Sequence, residues 1–339
     1  MQELLFSVVI PVYNVEAYLA ETLASVLPQV LACEQGAEIL LIDDGSTDGS
    51  GELCDQYVQQ YPEQIRVLHK ENEGLLLARR SGFRMAAGEY IINCDSDDTL
   101  EPDMLQRVAE VIERTQADVV LFDMNRWEPP LKERITEQLF AQEQPDKESV
   151  LCCFFRNAGA ASMCAKSFKR SCLDLEKDYS TYYKKSFGED TLQSAEIYTN
   201  AKRFAYLPVP LYNYRCGSGM TGKMNPSYFQ DFAQINAELE RYQPVWELEG
   251  FAVMMAEKVF INAARAITQS RFAPSMTRKE RKIFMSAIRQ HDMLRRYEDL
   301  YPQVRPALKK SYRILLDSFM KHQYGILDLS LRIKNLLRP

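Results

Sequence analysis

Five short apolar runs, each followed by a stretch with helical spacing, occupy the first 125 residues and constrain the fold more than any other feature. Residues 6–10, 38–42, 65–68, 90–93 and 119–122 read as strands. Pro11 is expected to end ladder pairing of the first, since it has no N–H to donate. Asn14 is placed to cap a helix carrying Tyr18, Leu19, Leu23, Val26 and Leu27, and Asp48 one carrying Leu53 and Tyr57. Residues 75–87 read as a helix with Gly88 as its stop, and Pro102 suits the first turn of a helix through Val108 and Ile112. Strands that are apolar on both faces and alternate with helices predict a mainly parallel sheet covered on both sides, the doubly wound α/β pattern. In such sheets ligands bind at the carboxyl ends of the strands. Those ends read Pro11-Val12-Tyr13-Asn14, Asp43-Asp44-Gly45-Ser46, Glu71-Asn72-Glu73-Gly74 and Asp95-Ser96-Asp97-Asp98. Polar and acidic residues gather where topology places a ligand.

Past Trp127 the pattern loosens. Residues 127–150 are polar and include Pro129-Pro130, which predicts a surface connection, and 150–222 mix short helical and extended segments. From about 226 the chain reads as helices over 229–242, 248–268, 278–297 and 308–337, the last broken near Gly325. The reading is therefore an α/β domain over residues 1–222 and a helical C-terminal region over 223–339. An apolar fraction of 46% and a charged fraction of 26% over 339 residues suit a packed soluble protein. The net charge of −6 argues against a nucleic-acid-coating protein. No apolar run reaches the roughly 18 residues of a membrane span, and no secretory signal is expected at the start. Eight cysteines without a CxxC pair and only three histidines argue against a disulfide framework or a structural zinc, and fit a reducing cytoplasm.

The acidic strand ends suggest a cation. On an extended segment Asp95 and Asp97 face one side together, with Asp98 turned elsewhere. Close carboxylates repel unless a proton or cation lies between them, and a hard divalent ion, Mg²⁺ or Mn²⁺, takes such oxygen ligands. The bland alternative is that these aspartates only cap a turn. A calcium EF-hand loop is disfavoured because its sixth position is Leu100 rather than glycine.

Taken in order, Ser7-Val-Val-Ile-Pro-Val-Tyr-Asn14, Leu41-Ile-Asp-Asp-Gly-Ser-Thr-Asp48, Asn72-Glu-Gly74 with Ala78-Arg79, Gly88-Glu-Tyr90 and Asp95-Ser-Asp-Asp-Thr-Leu-Glu-Pro102 resemble the family-2 glycosyltransferases. Further on, Gly188-Glu189-Asp190 resembles that family's Glu-Asp motif. Leu211 to Arg215, with Ser218 and Thr221 behind, resembles the segment that closes over the diphosphate. The resemblance covers about residues 5–222 and implies the GT-A fold and inverting, metal-dependent transfer, mostly from uridine diphosphate sugars. It implies that Pro11 and Tyr13 contact the nucleoside and Asp44 the base. Asn72, Arg79 and Arg215 would lie near the nucleotide or its phosphates. Asp95 would bind ribose or metal-bound water, Asp97 the Mn²⁺ or Mg²⁺, and Asp190, beside Glu189, would be the catalytic base. The implied acceptor is a hydroxyl of a cell-surface glycan, free or lipid-linked. Arg80 departs from the family's usual Ala-Arg-Asn-Gly and is expected at the diphosphate or in solvent; Cys94 is a second departure, read as packing.

Two other readings use the same residues. Asp95-Ser-Asp-Asp-Thr99 also fits the Asp-x-Asp-x-Thr of haloacid-dehalogenase-type phosphatases, but three strands precede it where that motif ends the first. A catalytically inactive sugar-nucleotide-binding or scaffold protein is opposed by Asp95, Asp97 and Asp190 all being present. Tyr179, Tyr182, Tyr183 and Phe187 are open between packing and an acceptor site. Residues 305–339 carry eight basic residues against Asp317 and Asp328. Their apolar spacing (Leu308, Tyr312, Leu315, Leu316, Phe319 and Met320, then Ile326, Leu329, Ile333, Leu336 and Leu337) leaves three uses open: packing, a homodimer contact, or peripheral attachment to an anionic membrane surface.

Overall fold

A computed structural model of the chain describes residues 4–135, 138–185, 188–216, 226–270, 276–325 and 327. The chain divides into two compact units, Met1–Ser218 and Gly219–Pro339. The boundary read near 222–226 falls mainly on residues outside those described.

The first unit is built on one nine-stranded sheet. Its parallel half comprises β1 (Phe6–Val12), β2 (Ala37–Asp43), β3 (Ile65–His69) and β4 (Tyr90–Asn93), in the spatial order β3-β2-β1-β4. Helices α1 (Glu16–Ala32), α2 (Ser50–Gln60) and α3 (Leu75–Met85) connect these strands. All seven residues of β1 and of β2 are buried, as strands covered on both faces must be. A short β5 (Thr99–Leu100) follows β4, and α4 (Met104–Thr115) begins just past Pro102.

The second half is mixed, extending the order as β4-β8-β6-β9-β5. β6 (Val119–Glu128) runs well past the expected 119–122 and forms a hairpin with β7 (Leu131–Arg134), so part of the expected surface connection is paired strand. β8 (Lys166–Lys169) is antiparallel to both β4 and β6, which makes β6 run with β4; β9 (Phe204–Arg215) is parallel to β6. Helices α5 (Lys147–Arg156), α6 (Ala158–Ala161) and α7 (Glu189–Asn200) lie between these strands in sequence. The carboxyl ends of β1, β2, β3, β4, β6 and β9 therefore share one edge.

Three local expectations are corrected. Pairing does not stop at Pro11: Pro11 and Val12 stay in register with Ile42 and Asp43. The Val9 carbonyl accepts from Cys94 N on the β4 side, so by alternation the missing Pro11 N–H points to that side, where β4 has already ended opposite Val9. Asn14 does not cap α1. It sits at φ 52°, and its Oδ1 accepts from Thr47 N at 2.8 Å. Asp48 serves both helices instead, Oδ2 accepting from Glu16 N and Oδ1 from Ser50 N, while Glu16 Oε2 accepts from Gly49 N. Gly88 is not the stop of α3, which ends at Met85 with Ala86 as its cap. It is a point of close approach: a Cβ there would stand 2.5 Å from Phe6 C and 2.6 Å from Ser7 N.

The second unit is helical: α8 (Tyr228–Glu240), α9 (Gln243–Trp246), α10 (Phe251–Gln269), α11 (Arg278–Gln290), α12 (Asp292–Arg296), α13 (Tyr301–Val304) and α14 (Lys310–Met320). Met254, Met255, Val259, Phe260, Ala263 and Ile267 put α10 at its centre, with α8, α12, α13 and α14 packed on it. The expected 278–297 helix is two, turning at His291, whose imidazole Nδ1 accepts from Met293 N at 3.1 Å. Leu308, Leu316 and Phe319 of the basic tail are buried within this unit, while Ile314 is exposed. Ile326, Leu329, Ile333, Leu336 and Leu337 lie outside the described residues. No described helix is long and apolar enough to cross a membrane.

Candidate active site

The carboxyl edge of the sheet gathers four loops, the ends of β6 and β9, and the start of α7. Behind β1, Tyr13 is half exposed whereas Pro11 is buried in the strand. Behind β2, Asp44 is 3% exposed and already holds three donors: Lys70 Nζ at 3.0 Å and Glu73 N at 2.9 Å on Oδ1, and Gly74 N at 2.8 Å on Oδ2. A carboxylate has about four acceptor positions, so one remains for the single bond expected from a base. Gly45, at φ 74°, lets this loop approach the next, since a Cβ would stand 2.8 Å from Asn72 N. Asn72 is half-buried there and takes the Tyr183 hydroxyl on its carbonyl at 3.3 Å.

Behind β4, residues 95–98 form a turn rather than an extended segment, closed by Asp98 N donating to Asp95 O at 3.0 Å. The turn still separates the carboxylates as the alternation argument expects: Asp95 and Asp97 are partly exposed, Asp98 is 1% exposed. Burial, and then the Asp95 and Asp97 charges, push the Asp98 carboxyl up to about 8. Asp98 accepts from Tyr212 Oη at 2.6 Å and Arg215 N at 2.7 Å, and the same phenol accepts from Asp95 N at 3.0 Å. Arg215 thus braces the turn. Its Nε donates to Asp97 O at 2.7 Å, its NH2 pairs with Glu21, and its guanidinium lies over the rings of Trp127 and Tyr18 at 4.1 and 5.1 Å.

Asp190, in the first turn of α7, comes to this edge from far along the chain. Arg79 joins it to the turn, NH1 pairing with Asp190 Oδ1 and NH2 with Asp95 Oδ1 at 2.8 Å. Asp95 also accepts from Asn93 Nδ2 at 3.0 Å. Burial works against its charge, but the Arg79 cation together with the hydrogen bonds from Arg79, Asn93 and Cys164 holds the Asp95 carboxyl below the usual range. Glu189 beside it is different: burial, then the Asp190 charge, push it up to about 7, and its buried Oε2 has no hydrogen-bond partner among the described residues.

The remaining expected residues divide between the site and the interior. Arg79, between Asp95 and Asp190, is 1% exposed. Arg80 is neither at the surface nor a free cation: it is wholly buried, pairs with Glu196 Oε2 at 3.3 Å, donates to the Asp174 carbonyl, and sits over the Tyr179 ring at 5.0 Å. Glu196 accepts the Tyr179 hydroxyl as well, so Tyr179 belongs to this buried knot. Tyr182 is buried, Tyr183 is exposed, and Phe187, Ser218 and Thr221 lie outside the described residues. Cys94 is buried in the core. Trp127, Tyr212, Asn93 and Glu21 were not anticipated. Only Tyr212 lay inside a segment the motifs marked.

Two partly exposed carboxylates in one turn, with oxygen donors only, match a hard divalent ion that completes its shell from water and phosphate. Among the described residues no cluster of three or more His, Cys, Asp or Glu side chains is placed to hold an ion by itself.

The model of the family "Glycosyl transferase family 2" matches residues 7–175. Glycosyltransferase GlyG of Streptococcus pneumoniae serotype 4 is 31% identical over 242 residues, 68% of this chain and 78% of that protein. The chain belongs to glycosyltransferase family 2. Among solved structures, S. aureus TarS 1-349 in complex with UDP-GlcNAc superposes with a TM-score of 0.56 at 21% identity, covering 88% of this chain and 92% of that one. A mannosyltransferase from Pyrobaculum calidifontis in complex with GDP-Man and Mn²⁺ gives 0.53 at 16% identity, over 98% and 87%. These likenesses are of fold, and the fold is GT-A. The protein is a glycosyltransferase, and a nucleotide sugar is its expected donor.

Proposed function

We propose that this glycosyltransferase moves a sugar from a uridine diphosphate donor to a hydroxyl of a cell-surface glycan, with inversion at the anomeric carbon and with Mn²⁺ or Mg²⁺. The observation that carries the reading is the meeting of Asp190 with the Asp95–Asp97 turn through one guanidinium. The reaction needs a carboxylate at the acceptor and another group of carboxylates at the departing diphosphate, and the chain brings the two together from distant parts of its sequence.

In this scheme Asp190 takes the proton of the acceptor hydroxyl as its oxygen attacks the anomeric carbon, while the bond to the diphosphate breaks on the opposite side. A hydroxyl is a poor nucleophile at neutral pH, so a positioned base contributes directly to rate. Asp95 and Asp97 would hold the ion, which when bound offsets charge developing on the diphosphate oxygens. Arg215, braced against the Asp97 carbonyl, keeps the turn in shape and adds positive potential beside it. Tyr13 offers an exposed ring for the base at the β1 end. The UDP and GDP complexes among the structural neighbours support a nucleotide diphosphate donor, and the Mn²⁺ in one of them supports the metal.

The test is the melting temperature of the purified protein with UDP, GDP or dTDP, each with and without Mn²⁺, alongside Asp97→Ala. A ligand that binds only the native state at 100 times its Kd stabilises by about 2.7 kcal/mol. A Mn²⁺-dependent rise with UDP that Asp97→Ala abolishes is the expected result. A folded protein that responds to no nucleotide would reject the donor reading.

A further inference from the structure

Arg79 is placed for a task other than holding the donor. We infer that it is a positioning residue for the transfer reaction, a two-armed clamp that sets the base Asp190 at a fixed separation from the donor-side carboxylate Asp95. This deepens the glycosyltransferase reading above and rests on it.

Two observations carry the inference. First, Arg79 is 1% exposed, and its two terminal nitrogens are spent on Asp190 Oδ1 and Asp95 Oδ1. The third nitrogen, Nε, is buried without a partner among the described residues, so the whole guanidinium sits behind the carboxylates it binds. Second, the exposure is arranged around the cation rather than at it. The side chains of Asp190 and Asp95 are 32% and 28% exposed, each meeting the guanidinium through Oδ1. The carboxylates reach the accessible side, and the cation stays behind them.

The chemistry explains why this residue type stands there. A guanidinium is a rigid planar fork, so two carboxylates bound to its two ends have their separation fixed by covalent geometry. An ammonium is a point charge that could neutralise one carboxylate or the other but would not fix the spacing. The two carboxylates come from different elements, the turn after β4 and the first turn of α7, with Arg79 itself on α3. Without the clamp, Asp95 and Asp190 would repel across a half-buried space with Glu189 beside them. A displacement of about 1 Å between reacting groups can cost on the order of 100-fold in rate.

The experiment compares wild type with Arg79→Lys in donor hydrolysis and transfer, measures UDP affinity with Mn²⁺ by calorimetry, and adds a melting-temperature cycle of Arg79→Met, Asp190→Asn and the double variant without nucleotide. A clamp predicts that Arg79→Lys keeps UDP affinity and donor KM within about twofold while kcat falls on the order of 10- to 100-fold. It also predicts that the double variant melts clearly above the sum of the two single losses, because each single change leaves a partner unpaired. Unchanged kcat in Arg79→Lys overturns the inference. So does a loss of UDP affinity in step with rate, which would make Arg79 a donor ligand, and so do additive melting losses. If wild type binds no nucleotide, the glycosyltransferase reading fails separately, and the melting cycle alone then decides whether Arg79 couples the two carboxylates.

Discussion

The two halves of the sheet differ in what they bury. In the parallel half, β3-β2-β1-β4, the interior is mainly hydrocarbon, its buried carboxylates Glu38 and Asp43 lie at the two ends of β2, and neighbouring elements approach closely. Gly88 lies against Phe6 and Ser7, and a Cβ at Gly82 would stand 2.4 Å from Val9 Cγ1. In the mixed half the strands themselves bury ionisable side chains of both signs. Lys166 on β8 is fully buried, donating to Ser194 Oγ at 2.9 Å and to the Ser162 carbonyl. Asp123 on β6 is fully buried, accepting from Tyr206 Oη at 2.9 Å and from Arg134. The lesson is one of division: the first half sets the shape of the carboxyl edge, and the second brings the polar groups that complete it.

The sharpest way to break this contrast is to add volume to the parallel half. Gly88→Val drives its Cβ into the backbone of Phe6 and Ser7, at 2.5 and 2.6 Å, before it reaches Ser7 Oγ at 2.9 Å. It should destabilise by about 3 kcal/mol or prevent folding, measured by urea unfolding. A loss under about 1 kcal/mol would mean that the close approach is not what holds β1 to the turn before β4.

A buried lysine gives the mixed half a distinct pH signature. Burial pushes Lys166 down to about 7, against 10.5 for an ordinary lysine. Between those values the unfolded chain holds the proton and the folded chain has released it, so unfolding takes up protons and stability rises with pH, by at most about 1.4 kcal/mol per unit. Lys166→Met should flatten that rise between pH 7 and 10, without the penalty expected of a lost ion pair. An unchanged profile would show that the ammonium stays charged in the fold, held by Ser162, Ser194 and the Tyr198 ring.

The smallest effect belongs to the rim of the parallel half. His69 Nδ1 meets Asp43 Oδ2 at 2.8 Å and Nε2 meets Asp55 at 3.2 Å, which raises its pKa above 6.5, the bond to Asp43 contributing most. A raised histidine stabilises the fold below pH 6.5, and that contribution is lost as pH rises through the folded-state value. His69→Gln should therefore cost up to about 1 kcal/mol at pH 5.5 and almost nothing at pH 9, since the ring is 45% exposed and screened. Equal cost at both values would make the contact one of packing.

The same contrast decides what could be read from residues alone. The parallel half was legible because its strands are local: each apolar run is complete in itself, and the loop after it carries the acidic or turn-forming residues. The turn at Asp95 and Asp97 was placed correctly at the end of β4 for that reason. Arg80, Lys166, Asp123 and Glu196 carry no such signal. Each looks like a surface residue in sequence, and each is buried because a partner many positions away satisfies it, as Glu196 does Arg80. The inward turn of Arg79 was hidden for the same reason, since Asp190 is 111 residues distant. Pairing of β6 with β9 was also invisible, because parallel strands joined by a long crossover leave no local trace.

The exchange of caps between the first two loops has a consequence of another kind. Asp48 holds the first amides of both α1 and α2, Glu16 returns a bond to Gly49, and Asn14 takes Thr47. The first loop takes its cap from the second, and the second takes a bond back from Glu16, so neither can be redesigned alone. A replacement at Asn14 or Glu16 alters the loop more than thirty positions downstream as directly as its own. Lineages that reshape this end of the molecule would be expected to change it in matched pairs, with residues 14–16 and 47–50 varying together as a single heritable unit.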